Sequence, residues 1–326
     1  MSGRKGSNRR RSGPGGQGGS GGSSGSGGRN TGGAGRGGGR RTDRGGGNSG
    51  EGGGRRRPPK RGLGGDKVEG RHAVRELLLA GTRRVREVLV ADDLDTADIV
   101  DDIVDLAHEL DVPVKAVNRK RLQSEAASSA PQGVIARAAP LPEHDIDDLM
   151  ARPDAFLLVL DGVTDPGNLG TILRTAECTG VTGIVLPRHR SVHVSPTVTK
   201  AAAGAVEHLP MAVVGGIPTA LTNLSKAGVH TVGLDAGGTE SVFTAPGLDD
   251  GPVALVLGAE GRGLSRLVRQ RVDTLVAIPL AGSLNSLNVS AATAVACFEV
   301  VRRRNVATDD QPMTDPMPSA DGAPSD

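Results

Sequence analysis

The chain has 326 residues and a formal net charge of only +2, but its composition is uneven. Residues 1–65 hold 28 of the 50 glycines and 15 Lys/Arg against Asp43 and Glu51, a balance of +13, so the remaining body carries about −11; such asymmetry points to a nucleic-acid or membrane partner. With no Trp, no Tyr and three Phe, aromatic stacking is excluded as the main way of gripping RNA bases, and no run approaches the ~18–20 apolar residues of a membrane span.

Residues 1–65 bury too little apolar surface to offset chain entropy and are expected to form a disordered basic arm that attracts phosphate, the alternative being a solubilising low-complexity extension with no specific partner. The N-terminus lacks the apolar segment of a secretory signal, so the expected location is cytoplasmic. Cys178 and Cys297, far apart and without a CxxC, are expected to be reduced, buried thiols.

From Val68 the pattern becomes that of a folded chain. Periodicity predicts a helix over 68–80 ended by Gly81, a strand at 85–90, a helix at 97–110, a strand at 112–117, a helix at 119–127 and a strand at 133–137. This is a small α/β module, 66–139. The Pro-containing stretch from Pro140 to Asp145 opens an expected linker, 140–153. Beyond it, short apolar runs at 156–160, 183–186, 231–234, 253–257 and 275–278 read as strands buried on both faces. Helices are predicted between and after them at 169–178, 197–205, 217–227, 264–271 and 289–304. The alternation predicts an α/β fold with a parallel sheet in domain 154–305, followed by a disordered tail, 306–326.

Ligands of such sheets sit beyond the carboxyl ends of the strands, and three strand ends stand out. The first runs Asp165-Pro166-Gly167-Asn168-Leu169-Gly170-Thr171-Ile172-Leu173-Arg174: a turn, with Asn168 read as the helix N-cap. There Arg174 faces away from the apolar stripe, beside a bare Gly170. The second is Leu257-Gly258-Ala259-Glu260-Gly261-Arg262-Gly263-Leu264, neither a Walker loop nor GxGxxG, whose glycines let backbone approach a ligand. The third, Ile278-Pro279-Leu280 to Ser286-Leu287-Asn288-Val289-Ser290, is a polar loop entering an Ala-rich helix. His189 and His193 are four apart without an acidic partner, and no metal site is expected. No Ser-His-Asp arrangement stands out.

Together, in order and spacing, the three segments closely resemble the motifs of the SpoU (TrmH) family of RNA ribose 2′-O-methyltransferases, over about residues 155–304. The stretch from Val68 to Leu78 resembles the start of the substrate-binding domain of members acting on ribosomal RNA. The resemblance implies a trefoil-knotted methyltransferase domain, S-adenosyl-L-methionine as cofactor, and a homodimer sharing its active sites. It implies that main-chain groups of Gly258, Ile278 and Leu287, flanked by Leu257 and Leu280, hold the cofactor. It assigns catalysis to Arg174, Asn168, Glu260 and Asn288, with Ser286 shaping the pocket. Arginine stays protonated, so phosphate binding and alkoxide stabilisation suit Arg174 better than a base role. The implied activity is methylation of a guanosine 2′-hydroxyl in large-subunit (23S) ribosomal RNA. The alternatives are the same chemistry on tRNA or another ribosomal nucleotide, or a non-catalytic RNA-binding assembly factor.

Overall fold

The computed structural model describes residues 63–94, 98–128, 130–189 and 193–309, with side chains to Val306. The expected arm, apart from Leu63, Gly64 and Gly65, lies outside the described residues, as does the expected tail from 310.

The first module begins differently from its predicted helix. Gly70, at φ 97°, breaks 68–80 into strand β1, Lys67–Glu69, and helix α1, Arg71–Ala80. Strand β2 (Val85–Ala91), helix α2 (Asp98–Glu109), strand β3 (Val114–Val117), helix α3 (Arg119–Glu125) and strand β4 (Val134–Ala138) follow. The sheet order is β1-β4-β2-β3, with only β2–β3 parallel. Val74, Leu77 and Leu78 of α1 pack on Val88 and Ala136 beneath. Gly81, left-handed at φ 59°, ends α1 as predicted.

The segment expected as a linker is built into the fold. Leu141 is 3% exposed in the main core, the His144 amide donates to the Met211 carbonyl at 2.8 Å, and helix α4 covers Ile146–Met150.

The second module is a seven-stranded sheet in which all the neighbouring strands pair parallel, in the order β7-β6-β5-β10-β8-β11-β9. Its strands are β5 (Phe156–Asp161), β6 (Gly183–Pro187), β7 (Met211–Val214), β8 (His230–Leu234), β9 (Glu240–Ser241), β10 (Val253–Gly258) and β11 (Thr274–Ala277). Helices α5 (Pro166–Cys178), α6 (Pro196–Ala201), α7 (Ile217–Lys226), α8 (Arg266–Arg269) and α9 (Val289–Asp309) cover it. Leu158, Leu255 and Leu257 point into one apolar layer, Leu157, Val159 and Val256 into the other; burial on both faces is why the central strands read as unbroken apolar runs. The two strands the sequence does not reveal, β7 and β9, are the sheet's edges, and β9 is a polar pair of residues.

Three further expectations are corrected. The helix predicted at 197–205 stops at Ala201; Ala203 and Gly204 turn left-handed before a 3₁₀ turn, Ala205–Glu207, because α1 packs against Gly204. Helix α9 runs past Arg304 to Asp309. Of the two cysteines only Cys297 is buried, and burial pushes its thiol up to about 12, whereas Cys178 is exposed.

Candidate active site

Strands β5 and β10 lie side by side, with Gly258 in register with Asp161, so the first two loops emerge next to each other. The turn into α5 is capped by Asp165, whose carboxylate accepts the Asn168 amide at 2.7 Å, with Pro166 in the first turn. This corrects the sequence reading: Asn168 is not the cap, and its side chain is left for other partners.

Those partners come from the other two loops. The Asn168 Nδ2 donates to Glu260 Oε2 at 3.0 Å, and Asn288 Nδ2 donates to Asn168 Oδ1 at 3.0 Å. Asn288 Oδ1 in turn accepts the Ser290 amide at 2.8 Å and its hydroxyl at 2.6 Å. The direction of the chain is set by its ends. A carboxylate can only accept and a backbone amide can only donate, which fixes both intervening amides. Glu260, Asn168 and Asn288 are thus brought together at the solvent-facing carboxyl edge of the sheet, from three separate motifs.

The Glu260 loop is shaped by its own backbone. Ala259 and Gly263 exchange amide-to-carbonyl bonds of 3.1 and 2.9 Å, and Gly261 and Gly263 take φ of 76° and 64°. A Cβ on Gly258 would lie 2.1 Å from the Gly263 carbonyl carbon. The glycine is required by the returning loop itself, not only by a ligand. The loop is held from below by Asp235, 6% exposed at the end of β8, which accepts from the Gly237 and Leu264 amides and from Arg269. Asp161 accepts the Ser265 amide at 2.8 Å. These two anchors explain why α8 begins only at Arg266 rather than at 264. Sequence reasoning missed Asp235, although Leu234-Asp235-Ala236-Gly237-Gly238 carries the same strand-end signature as the loops it singled out.

Arg174 lies exposed on α5, the helix that carries Asn168, and makes no hydrogen bond or ion pair among the described residues. Gly170 is not an open flank beside it: its Cβ would meet that of Ala201 at 2.4 Å, so it is the contact that lets α6 pack on α5. Leu257 is 1% exposed and Ile278 packs against the same core, whereas Leu280 and Leu287 are 39% and 43% exposed. Ser286 is exposed on the same loop. Residues 279–287 form no backbone hydrogen bond among the described residues. Arg303 does not face a ligand: it bonds the Val242 and Ala245 carbonyls and pairs with Glu299 and Asp249. Among the described residues no three His, Cys, Asp or Glu cluster as a metal site would require, and no helix is long and apolar enough to cross a membrane.

Residues 155–298 match the SpoU rRNA methylase family, and residues 67–144 match the RNA 2′-O ribose methyltransferase substrate-binding family. The 23S rRNA (guanosine-2′-O-)-methyltransferase RlmB of Shewanella oneidensis is 41% identical over 243 residues, 73% of this chain and 98% of that protein. The chain belongs to the SpoU family. The RlmB of Haemophilus influenzae is 38% identical over 73% of this chain and 98% of its own length. Among solved structures, the SpoU methyltransferase AviRb of Streptomyces viridochromogenes, in complex with AdoMet, matches at a TM-score of 0.62. It is 28% identical, over 73% of this chain and 90% of that one. The Asn168–Glu260–Asn288 contact therefore joins the three segments that resemble the SpoU motifs.

Proposed function

We propose that this protein methylates the ribose 2′-hydroxyl of a guanosine in large-subunit (23S) ribosomal RNA, with S-adenosyl-L-methionine as cofactor. The observation that carries the reading is the side-chain chain Glu260–Asn168–Asn288, which gathers three polar groups at the carboxyl edge of a parallel sheet. The RlmB relatives, matched over nearly their full length, supply the target class.

The donor set fits the cofactor. Backbone groups of 279–287 without internal partners suit the polar edge of an adenine, and the exposed Leu280, Leu284 and Leu287 suit its faces. Leu257, Gly258 and Ile278 close the floor of that site. When bound, S-adenosylmethionine supplies an electrophilic methyl group on a sulfonium. The chain's own residues do the rest. Arg174 grips a phosphate of the RNA and stabilises negative charge developing on the 2′-oxygen as its proton passes to solvent at this exposed edge, a task for a permanently charged donor. Asn168 and Asn288 orient the ribose, and Glu260 fixes Asn168.

Residues 66–139 form the RNA-gripping module, 140–153 the connection, 154–305 the methyltransferase domain and the basic arm 1–65 an accessory phosphate-binding segment. A trefoil knot at the 278–288 loop and a homodimer belong to the same reading. The dimer is supported by an exposed stripe on α9, Ala291, Phe298, Arg302 and Asn305, which lies at helical spacing and includes a 54% exposed phenylalanine. A ribosomal RNA substrate makes the working compartment the cytoplasm.

The test is a comparison of 2′-O-methyl positions across total RNA from a deletion strain and its parent. Loss of one large-subunit guanosine mark, restored by the purified enzyme on transcribed RNA, is the expected result. Loss of a tRNA mark, or of no mark, overturns the proposed target.

A further inference from the structure

We propose that the ion pair between Arg83 and Glu207 is a positioning device for the RNA: it locks the four-stranded module on the methyltransferase module at one orientation, so that RNA gripped by the first presents a single ribose to the second. The inference rests on the functional reading given above.

The pair is a two-pronged fork, Nη2 to Oε1 at 2.6 Å and Nε to Oε2 at 2.8 Å, between side chains only 3% and 0% exposed. Arg83 lies between α1 and β2, whereas Glu207 closes the 3₁₀ turn of the other module. The third nitrogen, Nη1, donates to the carbonyls of Gly65 and Ala139 at 2.5 and 2.6 Å. Gly65 stands just before β1 and Ala139 just after β4, so one guanidinium ties both chain crossings between the modules to the second module.

The crossings are pinned again beside it. The Leu63 amide donates to the Leu141 carbonyl and the Leu141 amide to the Gly64 carbonyl, at 3.1 and 2.9 Å, and both leucines belong to the methyltransferase core. Gly64 lies against Val194 so closely that a Cβ would sit 2.6 Å from its carbonyl oxygen. Gly204, left-handed at φ 91°, lets α1 approach until a Cβ there would be 2.5 Å from the Cβ of Glu76, and His208 bonds Glu76 at 3.1 Å. A hinge needs residues free to change φ and ψ, and both crossings are bonded and packed.

Two buried charges are a poor choice if adhesion is all that is required, since desolvation cancels much of their attraction and apolar residues hold as well. What they add is register. An apolar seam tolerates sliding, whereas a fork leaves two unpaired buried charges in any other arrangement. RNA bound to a fixed module meets the active site at high effective concentration and at one position.

The test uses the full chain with Glu207→Gln, and with Arg83→Met and Glu207→Leu combined, which leaves no unpaired charge. Each is assayed on a ribosomal RNA fragment for KM, kcat, cofactor Kd and the positions methylated. The expected result is KM raised about tenfold with kcat and cofactor Kd within about twofold, and methyl groups spread to neighbouring riboses. Protease cleavage within 139–153 should rise in parallel. A folded double variant with unchanged KM and a single methylated position overturns the proposal. So does a double variant that cannot fold, because the pair is then a stability element. If the parent chain methylates no ribosomal RNA, the functional reading fails, and unchanged cleavage at 139–153 still decides against the lock.

Discussion

The side chain of Asn168 holds the carboxylate of Glu260 at 3.0 Å across 92 positions of sequence. Replacing Asn168 by Asp sets two carboxylates against each other and removes the donor that Glu260 uses. Asn168→Asp should lower kcat/KM by about a hundredfold, and adding Glu260→Gln should recover most of it, a coupling of about 1–3 kcal/mol. Additive losses in the double-mutant cycle would remove this contact from the catalytic apparatus.

Arg174 has no structural partner among the described residues, so its removal should cost activity rather than stability. For Arg174→Ala we expect methyl transfer to fall by about 10²–10³, with unchanged melting temperature and cofactor affinity within a few-fold. Single-turnover rates and calorimetric titration with the cofactor measure both; near-normal turnover rules Arg174 out.

At Gly258 space, not conformation, forbids a side chain, because the Gly263 carbonyl occupies the Cβ position. Gly258→Ala should displace the 259–264 loop, cost about 1–3 kcal/mol of stability and weaken cofactor binding together. Retained cofactor affinity in a destabilised variant would mean that the loop does not contribute to the cofactor site.

Glu299 is held down to about 2 by hydrogen bonds from Arg302 and then Arg303, which outweigh the opposing effect of burial. Its folded value lies below the ordinary ~4.3, so its stabilisation is complete above about pH 4.3 and is lost as pH falls through about 2. Glu299→Gln should destabilise by about 1.5–3 kcal/mol at pH 7, and its denaturation curve should converge on the parent's between those two pH values. A constant gap down to pH 2 contradicts this assignment.

Because Leu63 is a core residue, the arm to be deleted is 1–62, which still carries all of the +13. The truncated protein should keep its turnover at saturating RNA. Its log K against log salt should have a shallower slope, since fewer phosphates are neutralised. Binding of a ribosomal RNA fragment at several salt concentrations gives both slopes, and coincident slopes would show that the arm does not bind RNA.

The sequence by itself determined the central strands, most of the helices and the three loops that meet at the candidate site. Strands buried on two faces leave apolar runs such as 156–160 and 253–257, and glycine, asparagine and proline mark strand ends by local turn chemistry. Edge strand β9 escaped because it is a polar pair with little burial, and β7 because its apolar run is only four residues long, although Met211 and Ala212 are buried. The tertiary structure alone decided which polar groups meet. Asp165 takes the cap within its own turn and leaves the Asn168 side chain free, and placing β5 beside β10 puts Glu260 within its reach; Gly170 is fixed by Ala201 of another helix, whereas Gly258 is fixed by Gly263 of its own returning loop. Arg83, one of several arginines near the end of α1, is singled out only by Glu207, 124 positions away, and by the two carbonyls the fold sets around it. Periodicity and turn propensity act within a few residues, whereas the strand order that closes these contacts is a property of the whole core.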